Sequence, residues 1–141
     1  MKMIAVALTA LMTSTVASAQ PSCERACMNR LVDQYLDAVL RHDPGKAPLA
    51  TTFRATENGS DVAPGNGIWQ SSQGLGPLQR RYFDLQSGQA AYYGTLIERD
   101  GEALLSLRLR FVGDKISEAE AIVARKGEPL FNPPGAIGDQ P

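Results

Sequence analysis

The chain has 141 residues, which is enough for one ordinary domain and too few for two. Its composition is that of a soluble domain, with 43% hydrophobic and 21% charged residues. A formal net charge of −1 without a basic stripe excludes the usual electrostatic footprint of a nucleic-acid-binding surface. We therefore expect a small domain with no nucleic-acid partner.

The first residues have the pattern of a signal peptide. Lys2 supplies a positive charge, an apolar stretch follows from Ile4 to Met12, and Ala17-Ser18-Ala19 matches the small residues before a signal-peptidase site. The apolar stretch is shorter than the roughly 20 residues of a membrane-spanning helix. We therefore predict a signal peptide at 1–19, a periplasmic or secreted mature protein, and no membrane partner after cleavage.

The sequence then predicts one helix, a strand and a long loop. Apolar residues recur at three- and four-residue steps from Glu24 to Arg41, which predicts an amphipathic helix ended by Asp43-Pro44-Gly45. A strand is predicted from Thr52 to Asn58. The stretch from Ser60 to Pro77 is rich in Gly, Ser, Asn and Pro and is predicted to be a loop. Long ordered loops are usually functional, so this loop is a candidate lid over a pocket.

The second half predicts a meander of four antiparallel strands. Turn signals separate runs of alternating hydrophobicity, and they are Ser87-Gly88, Asp100-Gly101 and Gly113-Asp114-Lys115. The predicted strands are Arg80–Leu85, Gln89–Ile97, Ala103–Val112 and Ile116–Ala124. Folding about these turns places Tyr92 opposite Phe83 on one side and opposite Leu109 on the other.

Charged residues alternate on the opposite face of this predicted sheet. The register sets Arg108 against Glu120 and Arg110 against Glu118. We therefore predict a solvated ladder of ion pairs rather than an anion-binding site. Beyond the last strand, residues 127–141 are rich in Pro and Gly and are predicted to form a flexible tail.

Cys23 and Cys27 are the two cysteines of the chain. In an oxidising compartment they are able to form a disulfide, which is easier if Cys23 precedes the first helical turn; the alternative is that they remain thiols. Two thiols and the distant His42 do not make up a metal site. We expect no metal and no other cofactor.

The order of these elements and several short motifs resemble the NTF2-like family, which includes SnoaL-like and ketosteroid-isomerase-like proteins. The segments that carry the resemblance are Gln34–Pro44, Thr56-Glu57-Asn58-Gly59, Gly67-Ile68-Trp69 and Gly113–Glu118. They resemble in particular a poorly characterised domain of unknown function with a TENG…GxGxW pattern. The resemblance implies an α+β, cone-like domain over 20–126, with a long N-terminal helix packed on a curved, mainly antiparallel sheet.

The resemblance also implies a pocket at the open end of the cone. The residues whose elements converge there are Tyr35, Glu57, Asn58, Trp69, Phe83 and Tyr92. Tyr35 corresponds to the tyrosine that stabilises an oxyanion in ketosteroid isomerases. Glu57 would replace their general-base aspartate, because Asn58 cannot take a proton at neutral pH. His42, with Asp43 as its partner, is a further catalytic candidate.

Each of these residues also has a structural interpretation. Tyr35 suits a helix core position, Glu57 suits a loop cap and Trp69 suits a plug beneath the loop. His42 suits the negative end of the helix dipole. Two functions therefore stay open. One is a cofactor-free lyase, isomerase or dehydratase that moves a proton on a small apolar or aromatic molecule. The other is a non-catalytic protein that binds a small molecule or forms a homodimer through its sheet face.

Overall fold

The computed structural model describes residues 23–128, which form one main helix and a curved six-stranded sheet. The elements in chain order are α1 (Arg25–Leu40), β1 (Leu49–Glu57), β2 (Ser60–Asp61), α2 (Ile68–Ser71), β3 (Ser72–Asp84), β4 (Gln89–Glu98), β5 (Gly101–Val112) and β6 (Lys115–Arg125). The predicted signal peptide and residues 129–141 of the predicted tail lie outside the described residues. Within 23–128, no helix is long and apolar enough to cross a membrane.

Helix α1 buries one apolar face in the core. Its buried residues are Met28, Leu31, Val32, Tyr35, Leu36, Ala38 and Val39. Steps of three and four residues place these side chains on one side of the helix. The amphipathic helix predicted from this periodicity is present, one residue shorter at each end. It stops because His42 has a positive φ of 55°, and Pro44 then begins a 3-10 turn.

The sheet has the strand order β2-β1-β6-β5-β4-β3. Strands β3 to β6 form the predicted antiparallel meander, whereas β1 pairs in parallel with β6 and antiparallel with β2. Both β4 and β6 run antiparallel to β5, and β1 runs in the same direction as β6. The last residues of β1, β4 and β6 therefore lie at the same end of the sheet.

The predicted register of two hairpins is wrong by two residues. Tyr92 pairs with Arg81 and Leu107, and not with Phe83 and Leu109. Both turns are centred one residue earlier than predicted; the carboxylate of Asp84, for example, accepts hydrogen bonds that fold the chain back after β3. A shift of two residues keeps each side chain on its face. The inner face is therefore the predicted one, and it includes Tyr92, Leu96, Leu105, Leu107, Leu109 and Phe111, all buried.

The loop predicted from Ser60 to Pro77 is wrong in its second half, because β3 begins at Ser72. The pairing of β3 with β4 is irregular between Ser72 and Gly74 and again between Leu75 and Gln79. Glycine and proline in a strand mark such irregular positions. The glycine and proline residues that predicted a loop in this half therefore lie in the irregular first part of β3.

The ion-pair ladder on the outer face is confirmed. The Arg108 guanidinium lies 2.9 Å from Glu120 and 3.1 Å from Glu118, and these residues follow the predicted register. Arg110 lies 3.7 Å from Glu118, and Arg54 of β1 adds a contact of 3.3 Å to the same carboxylate. Each arginine of the ladder thus has a carboxylate partner on a neighbouring strand.

Candidate functional site

Tyr35 of α1 and Trp69 of α2 lie together in the core. Each side chain is 2% exposed, and their ring centroids are 5.2 Å apart in an edge-to-face arrangement. Burial raises the pKa of Tyr35, a hydrogen bond with Trp69 opposes this, and the negative charge of Glu57 raises the pKa further. The phenol therefore stays protonated at neutral pH, where it can donate a hydrogen bond but cannot act as a base.

Glu57, the last residue of β1, caps the start of α2. Its Oε2 accepts a hydrogen bond of 2.8 Å from the backbone N–H of Ile68, and its Oε1 accepts one of 3.4 Å from Arg125. The side chain is 16% exposed. Both carboxylate oxygens are therefore engaged, and Glu57 could accept a proton from a substrate only by weakening one of these contacts.

Asn58 uses its side chain to fasten β1 to β6. Its amide nitrogen donates to the carbonyl of Val123 at 3.0 Å, and its Oδ1 accepts from the Val123 N–H at 2.8 Å. Its φ of 48°, followed by 80° at Gly59, closes the two-residue turn between β1 and β2. This predicted pocket residue is thus exposed and hydrogen-bonded to the edge of β6.

We expect Asn58→Asp to lower the free energy of unfolding by about 1–2 kcal/mol. The carboxylate keeps the bond from the Val123 N–H but has no proton to donate to the Val123 carbonyl. Urea denaturation followed by circular dichroism measures the loss. Asn66→Asp is the matched control, because the Asn66 side chain serves as an acceptor for Gln70 on the surface. Equal losses in the two variants would contradict the role assigned to Asn58.

His42 lies beyond the end of α1, outside the last helical turn that the interpretation as a partner of the helix dipole assumes. Its Nδ1 hydrogen-bonds to the backbone carbonyl of Trp69, so this nitrogen carries the proton. Asp43, its predicted partner, instead accepts a bond of 3.0 Å from the N–H of Gly45. His42 therefore holds the backbone of Trp69.

Phe83 and Tyr92 have different surroundings. The Arg25 guanidinium lies 5.0 Å from the centre of the Phe83 ring, near the start of α1. Tyr92 is 1% exposed, and its hydroxyl has no hydrogen-bond partner among residues 23–128. Gly94 leaves room for that hydroxyl, because a Cβ at this position would lie 2.6 Å from it. Burial raises the pKa of Tyr92 against the opposing charge of Arg81, so the hydroxyl is a protonated donor.

Sequence reasoning missed a group of polar residues beside Glu57. Arg125, the last residue of β6, donates two hydrogen bonds of 2.7 and 3.0 Å to the carboxylate of Glu98 at the end of β4. Glu98 also accepts a bond of 2.5 Å from the Ser71 hydroxyl. Burial acts to raise the pKa of Glu98, but the bonds from Arg125 and Ser71 outweigh it and hold the pKa below its usual range. No local motif connects these residues, which come from three strand and helix ends.

Cys23 and Cys27 are joined by a disulfide at the start of α1, with Cys23 ahead of the first helical residue. Both cysteines pack against the core. Among the described residues, there is no group of three or more His, Cys, Asp or Glu side chains that could hold a metal ion. The disulfide is thus a structural link between the first described residue and the helix.

Solved structures with similar folds are known. A protein of unknown function with a cystatin-like fold from Methylobium petroleophilum PM1 is similar with a TM-score of 0.61 and 15% identity, over 80% of this chain and 86% of that one. A candidate ketosteroid isomerase from Kribbella flavida is similar with a TM-score of 0.56 and 15% identity, over 82% of this chain and 91% of that one. An NTF2-like protein of unknown function from Cytophaga hutchinsonii is similar with a TM-score of 0.50 and 11% identity, over 74% of this chain and 94% of that one. This chain has an NTF2-like fold. No family model and no curated protein matches the sequence.

In this NTF2-like fold, the space between α1 and the inner face of the sheet is packed with aromatic rings. Tyr35, Trp69 and Tyr92 belong to the same buried cluster. Two surface cavities, of about 80 and 490 Å³, lie elsewhere, beside β1, and none of these three rings lines either cavity. The structure thus brings Tyr35, Trp69 and Glu57 together, while Asn58 and Phe83 are engaged with other partners.

Proposed function

We propose that this protein is exported to the periplasm or secreted and binds a small apolar or aromatic molecule between α1 and the inner face of the cone-like sheet, in space that Trp69 fills in this structure and that opens when Trp69 moves aside. The observation that carries the proposal is the Tyr92 hydroxyl, which is buried and unpaired within residues 23–128. Buried polar groups are nearly always hydrogen-bonded, and leaving one unpaired is unfavourable. A ligand with a carbonyl or a similar acceptor would satisfy this donor.

The surroundings of Tyr92 support the same class of ligand. Tyr35 and Trp69 belong to the same buried cluster as Tyr92; their rings supply apolar, aromatic surface, and the protonated Tyr35 hydroxyl is a second donor. Small-molecule sites usually combine such surfaces with a few well-placed polar groups. The engagement of both Glu57 oxygens favours binding over proton transfer.

A homodimer through the outer sheet face is part of this proposal. That face carries exposed apolar residues beside the ion-pair ladder, including Tyr82 at 62% and Ile122 at 42% exposure. A ladder that alternates in charge can pair with a copy of itself across a two-fold axis.

Trp69, the only tryptophan of the chain, reports on ligand binding through its fluorescence. We expect 1-indanone to change this fluorescence saturably, and indane, which has the same ring system without the carbonyl, to bind about 2- to 10-fold more weakly because one hydrogen bond is missing. Tyr92→Phe should reduce the difference between the two compounds, because only the Tyr35 hydroxyl is then left to donate. The proposal fails if neither compound gives a saturable change, or if the wild type and Tyr92→Phe discriminate equally.

A second candidate function is a cofactor-free isomerase, lyase or dehydratase. The observation that favours it is that the Glu57 carboxylate accepts the N–H of Ile68, the residue before Trp69, whose ring packs edge-on against the protonated Tyr35. Glu57 would take a proton from the carbon next to a carbonyl and return it, while Tyr35 would donate a hydrogen bond to the carbonyl oxygen. The similarity to a candidate ketosteroid isomerase supports this function through the fold alone.

Deuterium exchange separates the two functions. NMR in D₂O measures how fast the hydrogens beside the carbonyl of 1-indanone are replaced. Exchange that is faster with the wild type than with Glu57→Gln indicates proton transfer. Equal rates in the presence of bound indanone indicate a binding protein.

A further inference from the structure

Three charged residues meet where β1, β4 and β6 end, and we call them the ionic clasp: Glu57, Glu98 and Arg125. Arg125 lies between the two carboxylates, 2.7 Å from Glu98 and 3.4 Å from Glu57. The exposed fractions of the side chains are 16% for Glu57, 9% for Glu98 and 30% for Arg125. Partial burial weakens solvent screening, so these contacts are stronger than those of an exposed surface pair.

The clasp holds both ends of α2. Glu57 accepts the backbone N–H of Ile68 at the first residue of this helix, and Glu98 accepts the hydroxyl of Ser71 at the last. A helix of four residues has almost no stability of its own. Its position therefore depends on contacts from outside, and the clasp supplies one at each end.

Trp69 lies between these two fastened residues. Its backbone is held additionally by His42, and its ring is packed against Tyr35. Releasing Glu57 or Glu98 would free one end of α2 while leaving the sheet paired. We therefore expect such a release to move Trp69 without unfolding the domain.

We propose that the ionic clasp positions Trp69 and thereby controls access to the space between α1 and the sheet. Arg125 and Glu98 are positioning residues in this proposal: they act on the ligand site through Glu57, Ser71 and α2. The inference rests on the proposed function for its biological meaning, because it concerns entry to the same site. The mechanical part, that the clasp sets the position of Trp69, is tested without any ligand.

Hydrogen exchange at the indole N–H of Trp69 tests the mechanical part. The chain has one tryptophan, so its indole gives a single, identifiable NMR signal. We expect Arg125→Gln and Glu98→Gln each to raise the indole exchange rate about tenfold, the size expected for losing charged hydrogen bonds that hold a local segment. The backbone N–H of Leu107, in the buried centre of the sheet, reports opening of the whole domain and should exchange as in the wild type.

Arg108→Gln is the matched control. Arg108 also bridges two glutamates and is 35% exposed, but it lies in the ladder on the outer face. Its substitution should leave the indole rate unchanged. The proposal is overturned if Arg125→Gln and Glu98→Gln both exchange at the wild-type rate, or if the indole and Leu107 rates rise together. Glu98→Gln keeps the shape of the side chain and retains the contact between Arg125 and Glu57. It therefore tests the proposal alone if Arg125→Gln does not fold.

A pH profile separates the clasp from a simple packing role. The groups that face Glu98 are Arg125, the Ser71 hydroxyl and, through Arg125, Glu57 and Glu128. Because the folded pKa of Glu98 is lowered, its contribution is complete above the ordinary glutamate value of about 4.3 and disappears as the pH falls below it. Protection of the indole N–H should therefore fall in that acidic range, with a smaller step in Glu98→Gln. Identical profiles for the two proteins count against the clasp.

Failure of the clasp and failure of the proposed function are distinguishable. Unchanged indole exchange in the variants refutes the clasp, whatever 1-indanone does. Absence of a saturable indanone response in the wild type refutes the proposed function, whatever the exchange rates are. If both proposals are correct, indanone should associate faster with Arg125→Gln than with the wild type, as stopped-flow fluorescence measures, because more molecules have α2 released.

Discussion

Trp69→Ala should lower the free energy of unfolding by about 3–5 kcal/mol. The side chain is 2% exposed and lies edge-on against Tyr35, so truncation removes a large buried ring and leaves a cavity. Chemical denaturation followed by far-ultraviolet circular dichroism measures the loss, since the variant has no tryptophan fluorescence. Val112→Ala, at a 58% exposed position, is the control and should change stability by less than about 0.5 kcal/mol.

The same variant tests whether the interior accepts an aromatic guest. Apolar cavities created by truncation stay dry and bind small aromatic molecules. Indole has the shape of the removed ring, and saturating indole should restore about 2–3 kcal/mol of stability if its concentration reaches 100 times its dissociation constant. A variant with wild-type stability, or one that indole does not stabilise, would contradict the burial of Trp69 as a plug in the core.

Gly67→Ala should cost about 2–4 kcal/mol, which is more than a glycine substitution usually costs. Gly67 has a φ of +64°, and a Cβ there would lie 2.1 Å from Oε2 of Glu57. The carboxylate can swing away from the new methyl group, but it then loses the N–H of Ile68. The variant thus combines backbone strain with the loss of a charged hydrogen bond.

A second glycine separates these two effects. Gly113 has a similar φ of +59° and no atom within 4 Å of the added Cβ, so Gly113→Ala should cost only the backbone part, about 1–2 kcal/mol. In a Glu57→Ala background the cost of Gly67→Ala should fall, because the clash with the carboxylate is gone, and a double-mutant cycle measures the coupling. If the stability losses of Gly67→Ala and Glu57→Ala are additive, the absence of a side chain at Gly67 is not needed to position the Glu57 carboxylate.

The sequence predicted the elements whose signals are local. The period of α1 and the turn residues of the meander place the helix and the last three strands close to where the structure has them, whereas β3 begins at Ser72 and not at Arg80. The ladder of Arg108 and Arg110 followed from the hairpin predicted to turn at Gly113-Asp114-Lys115; its register at these residues is correct, although Lys115, the first residue of β6, already pairs with Val112. The other two hairpins were shifted because their turns are centred one residue away from the strongest glycine signal, and only pairing along the whole strand decides between such neighbours.

The candidate site was harder to predict because its contacts join distant parts of the chain. The family resemblance predicts that Tyr35 and Trp69 line one pocket, and the structure places their rings in edge-to-face contact in the core. The use of Glu57 as a cap on α2 depends on Arg125, 68 residues later, and on a backbone N–H that has no sequence signature. A single sequence also cannot show whether the Asn58 side chain contacts a ligand or, as in this structure, hydrogen-bonds to the backbone of Val123 in β6.

The parallel pairing of β1 with β6 has a consequence for how the domain forms. Within residues 23–128, β1 pairs with the two-residue strand β2 along one edge and with β6 along the other, so a growing chain presents β1 with an open edge until residues 115–125 have been made. Pairings between such distant segments slow folding, and an open edge invites pairing with other chains. A product truncated before Lys115 should therefore aggregate rather than adopt a smaller version of the fold, and its cell would have to keep the nascent chain apart from its neighbours until synthesis ends.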